Sequence, residues 1–478
     1  MDGSLRWLPG LFRNSSRRSP KPRVRRQRPF PIEPLEERLL LSATGAPAPS
    51  TAAQNALGQL ADPSIRQLAQ ADYAAHQSIT RSDLLSIFAE VEQDHVVSAA
   101  EFSSLGTLVS KAATIGMPAS VANLANKVVN GNPANVFLES AASPNGDLFA
   151  GCAASQLKSL VANWFEGMGP IAMTNSTVKL TWVSGVLFAK GGPKYTDVDQ
   201  GVIGDCTLLA GLAEVALRQP ATIQNMFTDN GDGTFTVRLY HNGTADYVTV
   251  DTQLPNAGQL YDRVTNGVLW AALAEKAIVE ENESGWLATG EPGSDSYAAL
   301  NGGDQGTAVA YLSAITGLPS SAYGVNPSNI VADWQANKLI LLSTGSVPAG
   351  SNLVADHCYA MVGYNAASGT PITLYNPWGA AYGEPSVTTS ALTASFQFEA
   401  AVASALEPNA QVPSLPTPAA IAVRDAAAPV TPSVPLQSES IANTKAPSVK
   451  PDSQTQSTRA LDEFFASWID PTGAGFVA

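Results

Sequence analysis

The apolar residues that follow Cys206 recur at the spacing of a helix. Between Thr207 and Gln219 the larger ones fall on one helical face, and Pro220 ends the run. They are Leu208, Leu209, Leu212, Val215 and Ala216. The pattern therefore predicts a helix that has Cys206 at its N-terminus.

A second helical pattern covers the region from about residue 51 to residue 148, which is poor in charge. Leu84, Ile87, Phe88 and Val91 mark one amphipathic face in this region. We expect residues 46–150 to form a helical unit before the main domain. It is either a pro-segment that masks a cleft or an accessory domain, and the pattern does not choose between them.

Strand-like patterns occur in the second half of the chain. The turn sequence Asp229–Gly233 comes before a strand-like run from Thr234, and Asn242-Gly243 is typical of a hairpin turn. A further strand-like segment opens at His357. We therefore expect residues 151–405 to combine helices and strands in one domain.

The composition changes after about Glu407 to Pro, Ala, Ser and Thr. A segment of this kind buries too little apolar surface to order itself, so residues 406–457 are predicted to be a disordered linker. Residues 458–478 carry an apolar stripe at helical spacing, formed by Leu461, Phe464, Phe465, Trp468 and Ile469. This short amphipathic helix either packs on the chain's own body or binds a partner protein.

The charge is distributed unevenly along the chain. Residues 1–30 hold nine Lys and Arg residues and one acid, although the whole chain carries a net charge of −14. Such an acidic body argues against nucleic acid as the main partner. No apolar run approaches the roughly 20 residues that span a bilayer, and three cysteines argue against a disulfide framework.

The basic start of the chain runs into Leu35-Glu-Glu-Arg-Leu-Leu-Leu-Ser42. Charged residues followed by a short apolar stretch and small residues are typical of a targeting segment. This string resembles the leader motif of planctomycete-type surface and exported proteins. The resemblance implies that residues 1–45 direct the protein to export or to the cell surface. The alternative is a disordered basic tail on a cytoplasmic protein.

A thiol hydrolase of the papain type needs a glutamine, a cysteine, a histidine and an asparagine in this order along the chain. The chain has them at Gln200, Cys206, His357 and Asn376. A thiol has a pKa of about 8.5 and must be activated at neutral pH. A helix N-terminus favours the thiolate, and an imidazole takes up the thiol proton. An asparagine can orient the imidazole, and Gln200 with the Cys206 N–H can stabilise an oxyanion.

Elimination selects His357 among the four histidines. His76 and His95 lie in the helical region before the cysteine, and His241 stands at the predicted hairpin turn. Only His357 opens a strand-like segment and is followed shortly by Asn376-Pro-Trp. Because successive strand residues point to opposite faces, Cys358 is not expected to share the nucleophile's role.

The segments around these residues resemble the calpain-like cysteine peptidases of the papain-like superfamily. The similar motifs are Asp197–Ala210, Val248–Pro255, Leu269–Ala277, Ser296–Gly303 and Asn376–Gly379. The resemblance implies a papain-like α+β core with Cys206 on a helical subdomain and His357 and Asn376 on an antiparallel-sheet subdomain. It also implies an endopeptidase that acts on proteins or peptides through a thioester, with Trp378 and Gly204 at the substrate.

The chain departs from the calpain pattern at several positions. Thr207 replaces the tryptophan that usually follows the nucleophile. Asp197 matches one calcium-ligand position of animal calpains, but Ala298 and Tyr382 stand where further acidic ligands are expected. A calcium site takes six to eight oxygen ligands. We therefore predict no cofactor and no calcium requirement.

Two other functions are compatible with these residues. One is a catalytically inactive scaffold that binds a partner through its C-terminal helix. The other is a papain-fold amidase or transamidase, which commonly uses an aspartate where this chain has Asn376.

Overall fold

The computed structural model describes residues 50–402, apart from residues 139–142, 144, 174–177, 256–259 and 288. The predicted leader (1–45), linker (406–457) and C-terminal helix (458–478) lie outside the described residues. Within the described part, no helix is both long enough and apolar enough to cross a membrane.

The N-terminal region of the described chain is helical, as its pattern predicts. Leu84, Ile87, Phe88 and Val91 are all buried. Helices α3 and α4 begin with capping boxes at Thr80 and Ser98, whose side chains satisfy backbone N–H groups of the first turn. The helices are α1 (Thr51–Gly58), α2 (Pro63–His76), α3 (Arg81–Val91), α4 (Ala99–Ser110), α5 (Ala119–Val129) and α6 (Ala154–Glu166).

The next part of the chain carries further helices and two small antiparallel sheets. The hairpin predicted at Asn242-Gly243 is present, and both residues adopt the left-handed backbone conformation that this turn requires. The helices are α7 (Cys206–Arg218), α8 (Pro220–Met226), α9 (Trp270–Asn282) and α10 (Gln305–Thr316). The strands are β1 (Leu180–Trp182), β2 (Phe227–Asp229), β3 (Thr234–His241), β4 (Thr244–Asp251) and β5 (Gln253–Pro255), with β1 paired to β5 and β2-β3-β4 in order.

A six-stranded antiparallel sheet forms the other half of the domain. Its strand order is β10-β9-β8-β7-β11-β6. The strands are β6 (Ser320–Gly324), β7 (Ile340–Thr344), β8 (Cys358–Tyr364), β9 (Ile372–Tyr375), β10 (Ser386–Val387) and β11 (Phe396–Val402), and the helices beside them are α11 (Pro327–Gln335) and α12 (Thr389–Ser395). The predicted α+β core, with a helical half and an antiparallel-sheet half behind a helical region, is confirmed.

The sheet packs on both faces because its strands alternate. In β8, Cys358 and Ala360 join the core that contains α7, whereas Tyr359 and Met361 join a second core with α11 and α12. The first core also includes side chains of α1–α6, so the N-terminal helices and the domain share one hydrophobic interior. Helix α7 consequently packs between the helical half and the sheet. Its first residue, Cys206, lies where the two halves meet.

Candidate active site

The structure brings the sequence-predicted residues to one cleft between the two halves. The cleft has a volume of about 610 Å³. The predicted residues that line it are Gln200, Gly204, Cys206, His357 and Trp378. Asn376 lies directly behind His357, where it hydrogen-bonds the imidazole. All six residues that the sequence singled out are therefore at or next to this cleft.

Cys206 is the first residue of α7, as the apolar pattern predicts. The first N–H groups of a helix have no intrahelical acceptor, so the start of α7 presents donors beside the thiol. The side chain is partly exposed, whereas the chain's other cysteines, Cys152 and Cys358, are buried. Cys206 is thus the thiol that a molecule in the cleft can reach.

His357 is fixed by hydrogen bonds from both its backbone and its ring. Its backbone exchanges hydrogen bonds with Thr344, the last residue of β7, with N···O distances of 2.8 and 3.0 Å. Nε2 of the ring lies 2.8 Å from Oδ1 of Asn376, and this oxygen also accepts the Trp378 N–H at 3.0 Å. Because an amide oxygen only accepts, Nε2 carries the proton and Nδ1 is left as the basic nitrogen.

Aromatic rings enclose the imidazole of His357. The Trp378 ring centroid is 4.8 Å from that of His357, and the Tyr359 ring meets the imidazole edge to face at 5.0 Å. Tyr382 packs against the outer side of Trp378 at 5.2 Å. These rings exclude water from the His357–Asn376 hydrogen bond, and such exclusion strengthens it.

Gln200 connects the loop that precedes Cys206 to the turn that follows Asn376. Its backbone N–H donates to the Pro377 carbonyl at 2.7 Å, and its side-chain Nε2 donates to the Ile203 carbonyl at the same distance. The Tyr375 hydroxyl also donates to the Val198 carbonyl at 2.7 Å. These bonds hold the residues before Cys206 in register with the strand that ends at Asn376.

Burial disfavours the charged form of both the Cys206 thiol and the His357 imidazole. Burial raises the pKa of the Cys206 thiol, although hydrogen bonds from the Cys358 N–H and from Thr207 oppose the increase. Burial also lowers the pKa of His357 to about 4, against the effect of the Asn376 hydrogen bond. Desolvation of both groups acts in the direction opposite to the helix N-terminus, which favours the thiolate.

A buried acid pair lies beneath the nucleophile, and the sequence reasoning missed it. Asp205 precedes Cys206 and is completely buried, and its carboxyl interacts with that of Glu275 on α9. Burial raises the pKa of Asp205 to about 7, partly offset by the nearby side chains of Glu275 and Gln200. Burial and the Asp205 carboxyl also raise the pKa of Glu275, and the charge of Asp205 contributes to the raised pKa of the Cys206 thiol. The available signal was the acidic Glu275 directly after the apolar first turn of α9.

Cys358 lies on the nucleophile's side of the sheet, which differs from the prediction made from strand alternation. The strand begins at Cys358, so alternation does not extend back to His357. Asp356 has a left-handed backbone with φ of 49°, which turns the chain just before the histidine. The Thr207 side chain lowers the pKa of both the Cys206 and the Cys358 thiols against the effect of burial. Cys358 itself is fully buried, and burial raises the pKa of its thiol far above the ordinary range.

The three positions that match calcium ligands of animal calpains, Asp197, Ala298 and Tyr382, have other surroundings in this structure. Asp197 Oδ2 accepts the Trp270 indole N–H and the Lys194 backbone N–H, both at 2.8 Å. Ala298 has no oxygen ligand in its side chain, and Tyr382 packs on Trp378. Within the described part of the chain, no three or more His, Cys, Asp or Glu side chains are grouped to hold a metal ion.

Comparisons with known proteins give the same assignment for this domain. Residues 179–388 match the model of the calpain family cysteine protease. The chain is 29% identical to calpain clp-4 of Caenorhabditis elegans over 223 residues, covering 40% of this chain and 28% of that protein. It is 27% identical to the calpain-1 catalytic subunit of Mus musculus over 241 residues, which is 45% of this chain and 32% of the relative. Human calpain-14 is 28% identical over 212 residues, which cover 40% of this chain and 29% of the relative.

These matches support a calpain-family cysteine protease domain in the middle of the chain. The chain spans about a third or less of the length of the curated relatives it matches. The likeness therefore concerns the domain that contains Cys206, His357 and Asn376, and it supports an activity of the cysteine peptidase kind.

Proposed function

We propose that this protein is a cysteine endopeptidase that hydrolyses peptide bonds of proteins through a thioester acyl-enzyme. One observation carries the proposal. The Asn376 amide oxygen holds Nε2 of His357 in its protonated form, in the same cleft as the partly exposed Cys206 at the start of α7.

Because burial disfavours both charged forms, the proton transfers start from a neutral thiol and a neutral imidazole. Nδ1 of His357 takes the Cys206 proton as the sulfur attacks the substrate carbonyl carbon, and the charge moves to the carbonyl oxygen. The Cys206 N–H and the Gln200 side chain stabilise that oxyanion. The imidazolium then gives its proton to the leaving amine, and the thioester forms. A water molecule, deprotonated by His357, hydrolyses the thioester and restores the thiol.

We also propose that the activity does not require calcium. Asp197 already accepts two hydrogen bonds inside the protein, and Ala298 and Tyr382 supply no carboxylate. Protein substrates, export to the cell surface and a partner at the C-terminal helix stay predictions.

The test is covalent labelling of the full chain with a peptidyl epoxide of the papain-inhibitor type, in chelator and in calcium, followed by peptide mass mapping. We expect modification confined to Cys206 in both conditions. Cys206→Ser and His357→Ala should abolish both labelling and turnover, while Cys358→Ala should retain most of both because its thiol is buried. Labelling that needs calcium would contradict the calcium proposal, and full turnover by Cys206→Ser would overturn the nucleophile assignment.

A further inference from the structure

The charged side chains of the cleft are acidic on both of its walls. Its described lining includes two carboxylates, Asp304 and Asp356, and no Lys or Arg. His357 adds no positive charge at neutral pH, because burial lowers its pKa to about 4. The cleft therefore presents an uncompensated negative charge to a substrate.

Asp304 lies on the helical wall and is fixed close to the nucleophile. Its carboxylate caps α10 by accepting the Thr307 N–H at 2.9 Å and the Thr307 hydroxyl at 3.0 Å. These hydrogen bonds lower the pKa of Asp304, so the carboxylate is ionised. The loop before it is tied to the nucleophile's loop, because the Gly302 N–H donates to the Gly204 carbonyl at 2.8 Å.

The approach between this loop and the nucleophile is tight. A Cβ atom at Gly303 would overlap the hydroxyl of Thr207, the residue that directly follows Cys206. Asp304 therefore directly follows Gly303, the residue that packs against the start of α7. The cap and the loop together hold the Asp304 carboxylate at the edge of the cleft.

Asp356 lies on the sheet wall and directly precedes His357. Its backbone N–H donates to the Gly345 carbonyl at 3.0 Å, which holds the loop between β7 and β8. Its side chain is exposed, and no hydrogen-bond or ion-pair partner is found for it among the described residues. A carboxylate without a partner beside the catalytic base is free to pair with a cation on the substrate.

We propose that Asp304 and Asp356 determine specificity for substrates that carry a Lys or Arg side chain close to the scissile bond. The inference rests on the proposed peptidase function and names its substrate class. The two carboxylates come from opposite halves of the cleft, so a cationic side chain that enters it meets negative charge on either wall. The walls of a cleft focus such charges and raise their effect above that of surface acids.

The first experiment compares peptides that differ at a single position. Lys is paired with norleucine and Arg with citrulline at each of the three positions on either side of the scissile bond. We expect kcat/KM to be on the order of tenfold higher for the cationic member at one or more positions. The preference should weaken as ionic strength rises, because both carboxylates are exposed and screened by salt. Equal kcat/KM for both members at every position overturns the proposal.

The second experiment uses Asp304→Asn, Asp356→Asn and the double variant. Asparagine caps a helix as well as aspartate and also accepts the left-handed backbone of residue 356, so both changes remove charge and preserve local geometry. The matched control is Asp94→Asn, which removes an exposed charge from the N-terminal helical region. We expect the cationic-to-neutral kcat/KM ratio to fall several-fold in each single variant and to approach one in the double variant. If the double variant keeps the wild-type ratio, residues other than Asp304 and Asp356 determine the preference, and the proposal is wrong.

Binding separates a failure of this proposal from a failure of the proposed function. In the Cys206→Ser background, fluorescence anisotropy measures the Kd of the same labelled peptides without turnover. Tighter binding of the cationic member, lost when Asp304 and Asp356 are both replaced, supports the specificity even if the wild-type protein hydrolyses none of the peptides. Indistinguishable Kd values refute it even if the protein is an active peptidase.

Discussion

The residue that follows the proposed nucleophile influences the pKa of the thiol from a position inside the protein. Thr207 is buried, and its side chain lowers the pKa of the thiols of Cys206 and Cys358. A hydrogen bond to a thiolate favours the charged form. Thr207 therefore opposes the burial that raises the pKa of Cys206, in a position where calpains usually carry tryptophan.

Replacing Thr207 tests this role directly. Thr207→Val keeps the shape of the side chain and removes the hydroxyl, so the pKa of Cys206 should rise by up to about one unit. The rate of alkylation by iodoacetamide, measured from pH 6 to pH 10, should shift to higher pH, and kcat/KM at pH 7 should fall by about three- to tenfold. Thr207→Ser, which keeps the hydroxyl, should restore the wild-type profile. Superimposable profiles for Thr207→Val and the wild type would show that the hydroxyl does not act on the thiol.

The residues of the proposed catalytic set could be singled out from the sequence because they have local signals, and the structure places them at one cleft. Cys206 opens an apolar helix, and His357 is followed by the Asn376-Pro-Trp turn. The orientation of Cys358 and the direction of the pKa shifts could not be predicted. The first depends on the left-handed turn at Asp356, and the second depends on burial between two halves that are far apart in sequence.

At the scale of elements, helix α5 is joined to the protease domain by a buried ion pair. Nζ of Lys127 lies 2.8 Å from Asp246 Oδ2 on β4 and donates to the Tyr247 carbonyl at 2.8 Å. The ammonium also lies 4.5 Å from the ring centroid of Trp164 on α6. The cleft lining includes no described residue before Gln200. We infer that the N-terminal helices are a structural layer of the domain rather than a segment that masks the cleft.

Lys127→Met tests whether this layer is integral. The substitution leaves the buried Asp246 carboxylate without its cation, so the free energy of unfolding should fall by about 3–5 kcal/mol. Urea denaturation followed by tryptophan fluorescence measures the change. The control is Lys158→Met on α6, which removes an exposed lysine and should change stability by less than about 0.5 kcal/mol. A separate early transition that spares the domain would contradict the inference, because an independent pro-segment unfolds by itself.

At the scale of the whole molecule, several acidic side chains are buried, although burial disfavours the charged carboxylate. Burial raises the pKa of Glu214, Glu280, Glu281 and Glu399 to about 8 in each case. The sequence showed an acidic body but not which acids are inside, because burial is set by contacts between elements such as α7, α9 and β11. The folded chain thus holds protons at neutral pH that the unfolded chain releases.

This difference predicts that the folded state loses stability as pH rises from about 5 to 8. A carboxyl whose folded pKa exceeds its unfolded value of about 4.3 stabilises the fold fully below the unfolded value, and the contribution is lost as pH rises through the folded value. His357 acts in the opposite direction, since its depressed pKa costs stability as pH falls from about 6.5 towards 4, but it is one group against several.

Urea unfolding at pH 5.5, 6.5 and 7.5 should therefore show a falling free energy of unfolding. Glu399 is fully buried on β11, and neither of its carboxyl oxygens has a hydrogen-bond partner among the described residues. Glu399→Gln should therefore reduce the slope by about 1.4 kcal/mol per pH unit. The exposed Glu291→Gln should leave the slope unchanged, and an equal slope in Glu399→Gln would mean that Glu399 is ionised in the folded protein.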